Sequence, residues 1–327
     1  MNWRGRKVLV TGAGGFIGSH LTEELARQGA TTRAMVRYSS TGLHGWLDSS
    51  TIKKDIEIVA GDIADRDVMK MATKGAEIVF HLAALIAIPY SYHAPESYVR
   101  TNVMGTLNVL QAAREAGVRR VIQTSTSEVY GTARYVPIDE DHPLQGQSPY
   151  SASKIGADKV AESFFSAYGL PVVILRPFNT FGPRQSARAV IPTIVAHCMD
   201  GDTVKLGALT PTRDLTFVGD TVAGFLAAAT AEKVAGETIN LGTGQEIAIG
   251  DLAALIARLM GKTVTIKSEV ERLRPAASEV GRLCSNNAKA AKLLNWKPEI
   301  GVEDGLRRTI VWMKDNRNLL RTEGYVL

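Results

Sequence analysis

Short apolar runs alternate with segments of helical periodicity along most of the chain. The apolar runs predict buried strands at residues 7–12, 31–37, 55–62, 76–84, 119–126, 170–179 and 237–242. The segments between them predict helices at residues 16–29, 65–75, 95–117, 151–169 and 217–231. Parallel strands joined by helical crossovers are buried on both faces, so this pattern predicts a doubly wound α/β fold around a parallel sheet.

The pattern changes after about residue 179, where Arg, Pro and Gly become frequent and the periodic segments shorten. Helical periodicity returns at residues 249–261 and 302–316, among short strand-like runs. We therefore expect a large sheet domain and a smaller α/β domain. The expected bounds are 1–178, rejoined by 214–241, for the first domain, and 179–213 with 242–327 for the second.

The composition is that of an ordinary globular protein: of 327 residues, 45% are hydrophobic and 22% are charged. The formal charge of +5 includes no block of like charges, so we expect no nucleic-acid partner. Cys198 and Cys284 lack metal-ligand spacing, which predicts two reduced core thiols and no metal site. The N-terminus lacks a signal-peptide core, and no apolar run reaches roughly 18 residues, so we expect a cytoplasmic protein with no membrane partner.

A glycine-rich loop joins the first predicted strand to the first predicted helix. In VLVTGAGGFIGSHL, Gly12 suits a tight turn, Gly15 suits close approach of the backbone to a pyrophosphate, and Gly18 suits close helix packing. Phe16 and Ile17 begin the helix, whose N-terminus would face the phosphates. A glycine triplet can be a simple connection, but at the start of a βαβαβ pattern it predicts a dinucleotide site in a Rossmann domain.

The end of the second predicted strand bears on the choice between NAD and NADP. A carboxylate there would bind the adenosine ribose of NAD, but the expected position holds Val36 and the next residue is Arg37. Arg37, with Ser39 and Ser40, could pair with the 2′-phosphate of NADP, although Arg37 could also be only an exposed charge. We predict a nicotinamide cofactor, with NADP favoured over NAD. Asp62 is expected near the adenine or as the cap of the following helix.

Tyr150 and Lys154, in SPYSASK, lie four residues apart at the start of a predicted helix and so share one face. An ammonium near a phenol stabilises the phenolate and lowers the phenol pKa, so Tyr150 could take a proton from a sugar hydroxyl while hydride leaves the carbon. Such a pair can also be a buried tyrosine beside a surface lysine. The catalytic interpretation gains weight because Thr126 ends the fifth predicted strand, and ligands of open α/β sheets bind beyond such strand ends.

Glu128 follows the same strand end, in STSEVYG. Hydride transfer at an alcohol needs Tyr150, Lys154 and a hydroxyl but no further acid. After the C4 hydroxyl of a hexose is oxidised, however, the C5 proton becomes acidic because it lies next to a ketone. A carboxylate could then remove this proton while the C6 hydroxyl leaves as water. Glu128 is therefore predicted to be either the base of a 4,6-dehydration or a loop acid that caps a turn.

Several motifs together resemble those of extended short-chain dehydrogenases/reductases over nearly the whole chain. They are TGAGGFIGSHL, HLAA, NVMGTLNVLQAA, STSEVYG, SPYSASK, RPFNTFGPRQ and RDLTFVGD. The narrower resemblance is to nucleotide-sugar 4,6-dehydratases, including the GDP-mannose dehydratases and the legionaminic-acid pathway dehydratase, which acts on a nucleotide-linked N-acetylglucosamine. This resemblance implies a hydro-lyase with tightly held NAD(P), a nucleotide-diphosphate sugar as substrate, and a homodimer formed by the helices at 95–117 and 151–169.

The resemblance also implies a role for each matching residue. Thr126 would bind the sugar O4 and Tyr150 would be the base there. Lys154 would support Tyr150 and the nicotinamide ribose, and Glu128 would be the base at C5. Cofactor contacts are implied for Gly12, Gly15, Phe16, Ile17, Gly18, Arg37, Asp62, Ile63, His81, Leu82, Ala83, Ala84, Tyr150 and Lys154. Substrate contacts are implied for Thr126, Ser127, Asn179, Arg184, Arg213 and Arg274.

Arg213 and Arg274 would bind the diphosphate, for which a bidentate guanidinium is well suited, although each arginine could also be a surface charge. The pair Ser127-Glu128 departs from the dTDP-glucose dehydratases, which carry Asp-Glu and use the aspartate to protonate the departing C6 hydroxyl. GDP-mannose dehydratases have a Ser-Glu type of pair. The resemblance therefore implies that Glu128 both takes the C5 proton and delivers one to the C6 oxygen, with Ser127 as a supporting hydroxyl.

Two other functions remain open at this point. A nucleotide-sugar 4-epimerase would use the same Tyr150 and Lys154 but would need no base at C5. A non-catalytic NADP-binding sensor could keep the glycine loop without the catalytic pair. Glu128 favours the dehydratase over the epimerase, and the Tyr150–Lys154 pair disfavours the sensor. The nucleotide of the substrate stays open among UDP, GDP, CDP and dTDP.

Overall fold

A parallel sheet lies at the centre of the computed structural model, which describes residues 2–319. In chain order the strands are β1 (Lys7–Thr11), β2 (Thr31–Val36), β3 (Ile56–Ala60), β4 (Ile78–His81), β5 (Arg120–Thr124), β6 (Val172–Pro177), β7 (Asn179–Phe181), β8 (Thr203–Leu206), β9 (Thr212–Phe217), β10 (Thr238–Leu241), β11 (Glu246–Ala248), β12 (Thr265–Ser268) and β13 (Arg282–Leu283). The central sheet has the order β10-β6-β5-β4-β1-β2-β3. Each of the seven apolar runs contributes one of its strands, so the doubly wound α/β fold predicted from the sequence is confirmed.

Helices cover both faces of this sheet. In chain order they are α1 (Phe16–Arg27), α2 (Arg66–Thr73), α3 (Ile88–His93), α4 (Pro95–Tyr98), α5 (Gly105–Glu115), α6 (Pro149–Tyr168), α7 (Val190–Asp200), α8 (Val218–Thr230), α9 (Ile249–Leu259), α10 (Ala288–Leu294) and α11 (Val302–Asp315). Side chains of β1 alternate between two cores: Val8 packs with α1 and α8, and Leu9 packs with α2, α5 and α6. Within residues 2–319, no helix has both the length and the apolar character needed to cross a membrane.

The predicted helix at residues 95–117 is interrupted. Between α4 and α5 the backbone forms a π-helical turn, Val99–Met104, which contains the buried Asn102. Asn102 Nδ2 donates to Leu85 O at 3.0 Å and to Ser153 Oγ at 2.9 Å, and its Oδ1 accepts from Leu85 N. The turn therefore ties the loop after β4 to α6, as π-helical insertions often do near functional sites.

A second part of the chain is built from short strands. β9 pairs with β7, β11 and β13, and β8 pairs with β12. The chain leaves the central sheet after β6 and returns to it through α8 and β10. β9 belongs to the smaller sheet and crosses the predicted domain boundary at residue 214.

The carboxyl ends of the central strands position the site, because parallel strands end at a common edge of the sheet. Thr11 ends β1, His81 ends β4 and Thr124 ends β5. The glycine loop follows the first of these ends, and the turn that carries Thr126 follows the third. α6 begins beside them with a capping box between Ser148 and Ser151, so the start of this helix is fixed.

Candidate active site

The glycine loop forms a cradle that side chains would fill. Gly12 has φ of +70°, and a Cβ at this position would lie 2.8 Å from the backbone nitrogen of Ala83. A Cβ on Gly18 would overlap the carbonyl oxygen of Gly12. The first N–H groups of a helix have no partner within it, and the N-cap of α1 is Gly15, which has no side chain to accept from them. These residues fit the pyrophosphate of a dinucleotide.

His81 is a buried, neutral link between the strand ends and the helices behind them. Its Nδ1 lies 2.8 Å from Thr11 Oγ1 and its Nε2 lies 3.0 Å from Thr106 Oγ1. Because Thr106 Oγ1 donates to Asn102 O, it accepts from His81, which assigns the ring proton to Nε2. Burial lowers the pKa of His81 to about 3, with the nearby charge of Lys154 adding to the effect. His81 therefore orders the site rather than exchanging protons.

The loop after β4 contains Leu82, Ala83 and Ala84, three of the predicted cofactor residues. The backbone N–H groups of Leu82 and Ala83 both donate to Thr11 Oγ1 at 3.2 Å. This fixes the loop directly across from Gly12. Ile17 lies in the first turn of α1 and packs against the same hydrophobic core as Leu82.

The residues predicted for the adenosine end follow β2 and β3. Arg37 is exposed and follows β2 immediately, beside the glycine loop, since Ala13 N donates to Met35 O at 3.1 Å. Asp62 is exposed, and its Oδ1 accepts from Ala64 N. The alternative role of Asp62 as the cap of the next helix is wrong, because Asp65 caps α2.

Ile63, the next residue after Asp62, is buried against Gly105 at the start of α5. A Cβ on Gly105 would lie 2.6 Å from the Cδ1 of Ile63, so a larger residue at this position would require the Ile63 side chain to shift. The carbonyl oxygen of Ile63 accepts from Asn108 Nδ2 at 3.1 Å. The segment after β3 is therefore held against α5.

A 3₁₀ turn, Ser127–Tyr130, follows β5 and contains Glu128. Thr126 caps this turn, since its Oγ1 accepts from Glu128 N at 3.2 Å. Glu128 therefore does not cap it. Ser127 is buried, and Glu128 is only 8% exposed. Among residues 2–319 the Glu128 carboxylate makes no hydrogen bond, which is costly for a buried charge unless opposite charge lies nearby.

Tyr150 and Lys154 are both buried one turn apart on α6. Lys154 Nζ donates to Thr124 O at 2.6 Å, and burial lowers the pKa of Lys154 to about 8. Burial raises the pKa of Tyr150 above its ordinary value; a hydrogen bond with Thr126 opposes this shift and the charge of Glu128 adds to it. The expected lowering of the Tyr150 pKa is therefore not present in this structure. The reason is that both groups are desolvated and the ammonium bonds a strand carbonyl.

A buried ion pair lies behind Lys154 and was missed from the sequence. Asp158, one turn further along α6, accepts at Oδ2 from Nε and Nη2 of Arg176 at 3.3 and 3.1 Å and from Ser125 Oγ at 2.7 Å. Arg176 Nη1 also donates to Tyr130 Oη at 3.0 Å. Asp158 favours the charged form of Lys154, because its negative charge opposes the lowering of the Lys154 pKa.

Replacing Asp158 with Asn should move the high-pH limb of the activity profile to lower pH. Without the carboxylate the pKa of Lys154 falls from about 8 to a lower value, so the ammonium loses its proton at lower pH. We expect a shift of about 0.5–1 pH unit in kcat/KM. Asp304→Asn removes an exposed carboxylate, paired with Arg308, and is the matched control.

Thermal unfolding of each variant should come first, because Asp158→Asn also leaves Arg176 without its counter-charge. A folded, active Asp158→Asn enzyme with an unshifted high-pH limb would show that Asp158 does not act through Lys154.

Two of the predicted substrate residues, Arg213 and Arg274, meet at one carboxylate, and Arg213 lies within electrostatic reach of Glu128. Arg213 lies on β9, is 7% exposed and donates from Nη1 to Thr212 O at 2.9 Å. Burial lowers its pKa, and the charge of Glu128 opposes this, so the two side chains are within electrostatic reach. Arg213 Nη2 lies 3.4 Å from Glu279 Oε1, and Arg274 Nη1 lies 3.6 Å from the same oxygen.

The backbone beside Arg213 is held by a buried carboxylate. Asp214 accepts from the backbone N–H groups of Thr243, Gly244 and Ser285 at 2.8–3.0 Å. β9 is thus fixed to two loops of the smaller sheet, which restricts the direction in which Arg213 projects.

Asn179 and Arg184, which were also predicted to contact the substrate, are placed differently from the arginine pair. Asn179 begins β7, and its Oδ1 is buried without a hydrogen-bond partner among the described residues. Arg184 donates to Glu23 Oε1 at 3.0 Å and to Ser19 Oγ at 3.2 Å, both on α1. The structure therefore does not bring Arg184 to the arginine pair, and a substrate would have to displace Glu23 to reach its guanidinium.

Comparison of the chain with known proteins shows the family to which it belongs. Residues 9–309 match the family model described as GDP-mannose 4,6 dehydratase. The chain is similar to a putative UDP-glucose 4-epimerase of Methanocaldococcus jannaschii, with 32% identity over 315 residues that cover 94% of this chain and 99% of that protein. It is also similar to a dTDP-glucose 4,6-dehydratase of Streptomyces antibioticus, with 34% identity over 318 residues that cover 95% and 93%.

A solved structure agrees with these matches. DesIV, a dTDP-glucose 4,6-dehydratase from Streptomyces venezuelae with NAD bound, superimposes with a TM-score of 0.87 and 30% identity, covering 96% of this chain and 99% of that one. The motif resemblance to extended short-chain dehydrogenases/reductases and nucleotide-sugar 4,6-dehydratases is confirmed. Dehydratases and epimerases occur at similar identity, so the residues of the site must decide between the two reactions.

Proposed function

Because this chain belongs to the GDP-mannose 4,6-dehydratase family of extended short-chain dehydrogenases/reductases, we propose that it dehydrates a nucleotide sugar to a 4-keto-6-deoxy product. The observation that carries this proposal is Glu128, a buried carboxylate beside Tyr150 that makes no hydrogen bond among the described residues. A 4-epimerase needs no acid at this position. The enzyme is therefore proposed to be a hydro-lyase.

Oxidation at C4 comes first in the proposed reaction. Tyr150 takes the proton of the C4 hydroxyl, and Thr126 hydrogen-bonds the same oxygen. Lys154 supplies the positive charge that the buried phenolate requires. The glycine loop would hold a nicotinamide cofactor, which would supply reversible hydride transfer, from C4 and back to C6, so that the sugar is dehydrated without net oxidation.

Elimination follows at C5 and C6. The C4 ketone makes the C5 proton acidic, and the Glu128 carboxylate removes it. Glu128 then delivers this proton to the C6 oxygen, which leaves as water while a C5–C6 double bond forms. Ser127 supports the departing oxygen with its hydroxyl. When C6 has regained hydride, C5 takes a proton that derives from solvent.

The substrate is proposed to be a nucleotide-linked N-acetylglucosamine. The motif resemblance to the legionaminic-acid pathway dehydratase supports this choice. Arg213 and Arg274 are proposed to bind the diphosphate, because paired guanidinium groups suit phosphate oxygens. Asn179 is proposed to bind substrate through its buried, unpartnered Oδ1.

The cofactor is proposed to be NADP, although the similar DesIV structure holds NAD. Arg37 is exposed beside the glycine loop and is free to pair with a 2′-phosphate.

Arg37→Ala should weaken NADP binding about tenfold and leave NAD binding unchanged, as measured by calorimetry on the cofactor-free protein. Tighter binding of NAD than of NADP by the unaltered protein would contradict the preference.

A homodimer is proposed from the superfamily resemblance. α5 and α6 are the helices concerned, and α6 exposes Phe165 and Tyr168. The Arg114 guanidinium of α5 lies 4.3 Å from the centre of the Tyr168 ring. These side chains give the two helices a shared, partly apolar outer face, which supports the proposal.

A panel of UDP-, GDP-, CDP- and dTDP-hexoses tests the function directly. The purified protein should convert a member of the panel to a product lighter by one water, detected by mass spectrometry. A product of unchanged mass with inverted C4 would identify an epimerase. Cofactor binding without turnover of any member would favour the sensor.

A further inference from the structure

Glu279 is an acid in the middle of the proposed diphosphate site. Its Oε1 lies 3.4 Å from Arg213 Nη2 and 3.6 Å from Arg274 Nη1. Both guanidinium groups therefore approach a single carboxylate oxygen. An acid at this point is unexpected, because it repels the phosphate groups that the arginines are proposed to bind.

The positive charges of Arg213 and Arg274 need negative charge nearby to balance them. Arg213 is almost fully buried, and the charge of Arg274 adds to the desolvation that lowers the Arg213 pKa. Arg274 Nη1 is buried and makes no hydrogen bond among residues 2–319. Two like charges in this setting require compensating negative charge; Glu128 lies within electrostatic reach of Arg213, and Glu279 lies in direct contact with both arginines.

The carboxylate of Glu279 is held loosely. Its distances of 3.4 and 3.6 Å exceed the roughly 2.7–2.9 Å of strong charge-assisted hydrogen bonds. The Glu279 side chain is 23% exposed, more than that of Arg213. It can therefore move towards solvent when another anion takes its place beside the arginines.

The backbone of the same segment is fixed. Thr132 Oγ1 donates to Glu279 O at 3.3 Å and accepts from Gly281 N at 3.1 Å. Ser278 Oγ donates to Gln147 O, next to the start of α6. The side chain of Glu279 can thus leave the arginines without moving the loop that carries Arg274.

We propose that Glu279 is an internal anion that occupies the phosphate position between Arg213 and Arg274 and is displaced by the diphosphate of the substrate. This inference rests on the proposed function, because it takes the arginine pair as the diphosphate site. A ligand with one negative charge replaces the charge of the displaced Glu279 carboxylate, so it gains no net electrostatic attraction to the arginines. A diphosphate brings more charge than Glu279 and gains from the exchange, so Glu279 makes the site selective for diphosphates.

Calorimetric binding of inorganic pyrophosphate, UDP, GDP, CDP, dTDP and uridine to the protein with its cofactor tests this inference. Glu279→Gln should bind pyrophosphate and the preferred nucleoside diphosphate about tenfold more tightly. Uridine, which has no charge, should bind with unchanged affinity. Glu279→Asp, which keeps the charge, should resemble the unaltered protein more than Glu279→Gln does.

Glu303→Gln removes one exposed carboxylate from α11, away from the arginine pair, and controls for the change in net charge. It should leave pyrophosphate binding unchanged. Weaker binding of pyrophosphate to folded Glu279→Gln would overturn the inference, because Glu279 would then position the arginines for the phosphate. Unchanged binding would also overturn it, because Glu279 would then have no effect on the arginine site. Absence of dehydration with the expected pyrophosphate result would instead overturn the proposed reaction alone.

Discussion

Replacing Glu128 with Gln is expected to stop dehydration while leaving oxidation at C4 in place. The amide keeps the size of the side chain but cannot take the C5 proton, so product formation should fall about 10³-fold. Oxidation should persist, because the negative charge of Glu128 adds to the raised pKa of Tyr150 and its removal does not hinder the base. Reduced cofactor, measured by absorbance during a single turnover, should therefore accumulate.

The matched control is Glu162→Gln on α6, which removes a partly exposed carboxylate paired with Lys159. It should dehydrate the substrate at close to the unaltered rate. Dehydration by Glu128→Gln at an undiminished rate would mean that another group removes the C5 proton, and the role assigned to Glu128 would be wrong.

Tyr150→Phe is expected to block the reaction one step earlier. The variant loses the phenol oxygen that takes the O4 proton, so C4 oxidation should slow about 10³–10⁴-fold. The ring should stay in place, since it packs edge-on against Tyr98 at 6.3 Å between centroids. Stopped-flow absorbance should show no reduced cofactor, in contrast to the accumulation expected for Glu128→Gln.

Tyr98→Phe removes a neighbouring phenol that donates to Ala87 O and is the control for Tyr150→Phe. It should cost about 1 kcal/mol of stability, for the lost hydrogen bond, and less than about tenfold in rate. If Tyr150→Phe still formed reduced cofactor at the normal rate, the proton at O4 would have another acceptor, and Lys154 would need a different role.

The central sheet could be predicted from the sequence because burial on both faces leaves an unambiguous signal. Each strand is a short apolar run, and glycines or charged residues mark its ends. The positions of the candidate catalytic residues could be predicted as well, since Thr126 and Glu128 follow a strand end and Tyr150 and Lys154 lie at the start of a helix. The π-helical turn at Val99–Met104 was not, because it changes the hydrogen-bond pattern without changing the apolar spacing.

Most of the contacts that the sequence did not predict join side chains that lie far apart in the chain. Asp158 and Arg176 form a buried ion pair on different elements, and no local pattern joins them. Arg176 did give a signal, since a charge inside the apolar strand VVILRPF must find a counter-charge. Arg184 was expected at the substrate, but the structure pairs it with Glu23, far earlier in the chain. The raised pKa of Tyr150 depends on burial, which spacing alone does not determine.

Turnover in deuterated water tests the proposed dehydration most directly. In the proposed reaction the C5 proton leaves with the C6 oxygen, and C5 later takes a proton from solvent. The product of the preferred nucleotide hexose should therefore be lighter by one water and carry one deuterium at C5, as read by mass spectrometry and NMR. A product that has kept its C6 hydroxyl, or that has lost water without deuterium at C5, would contradict this mechanism.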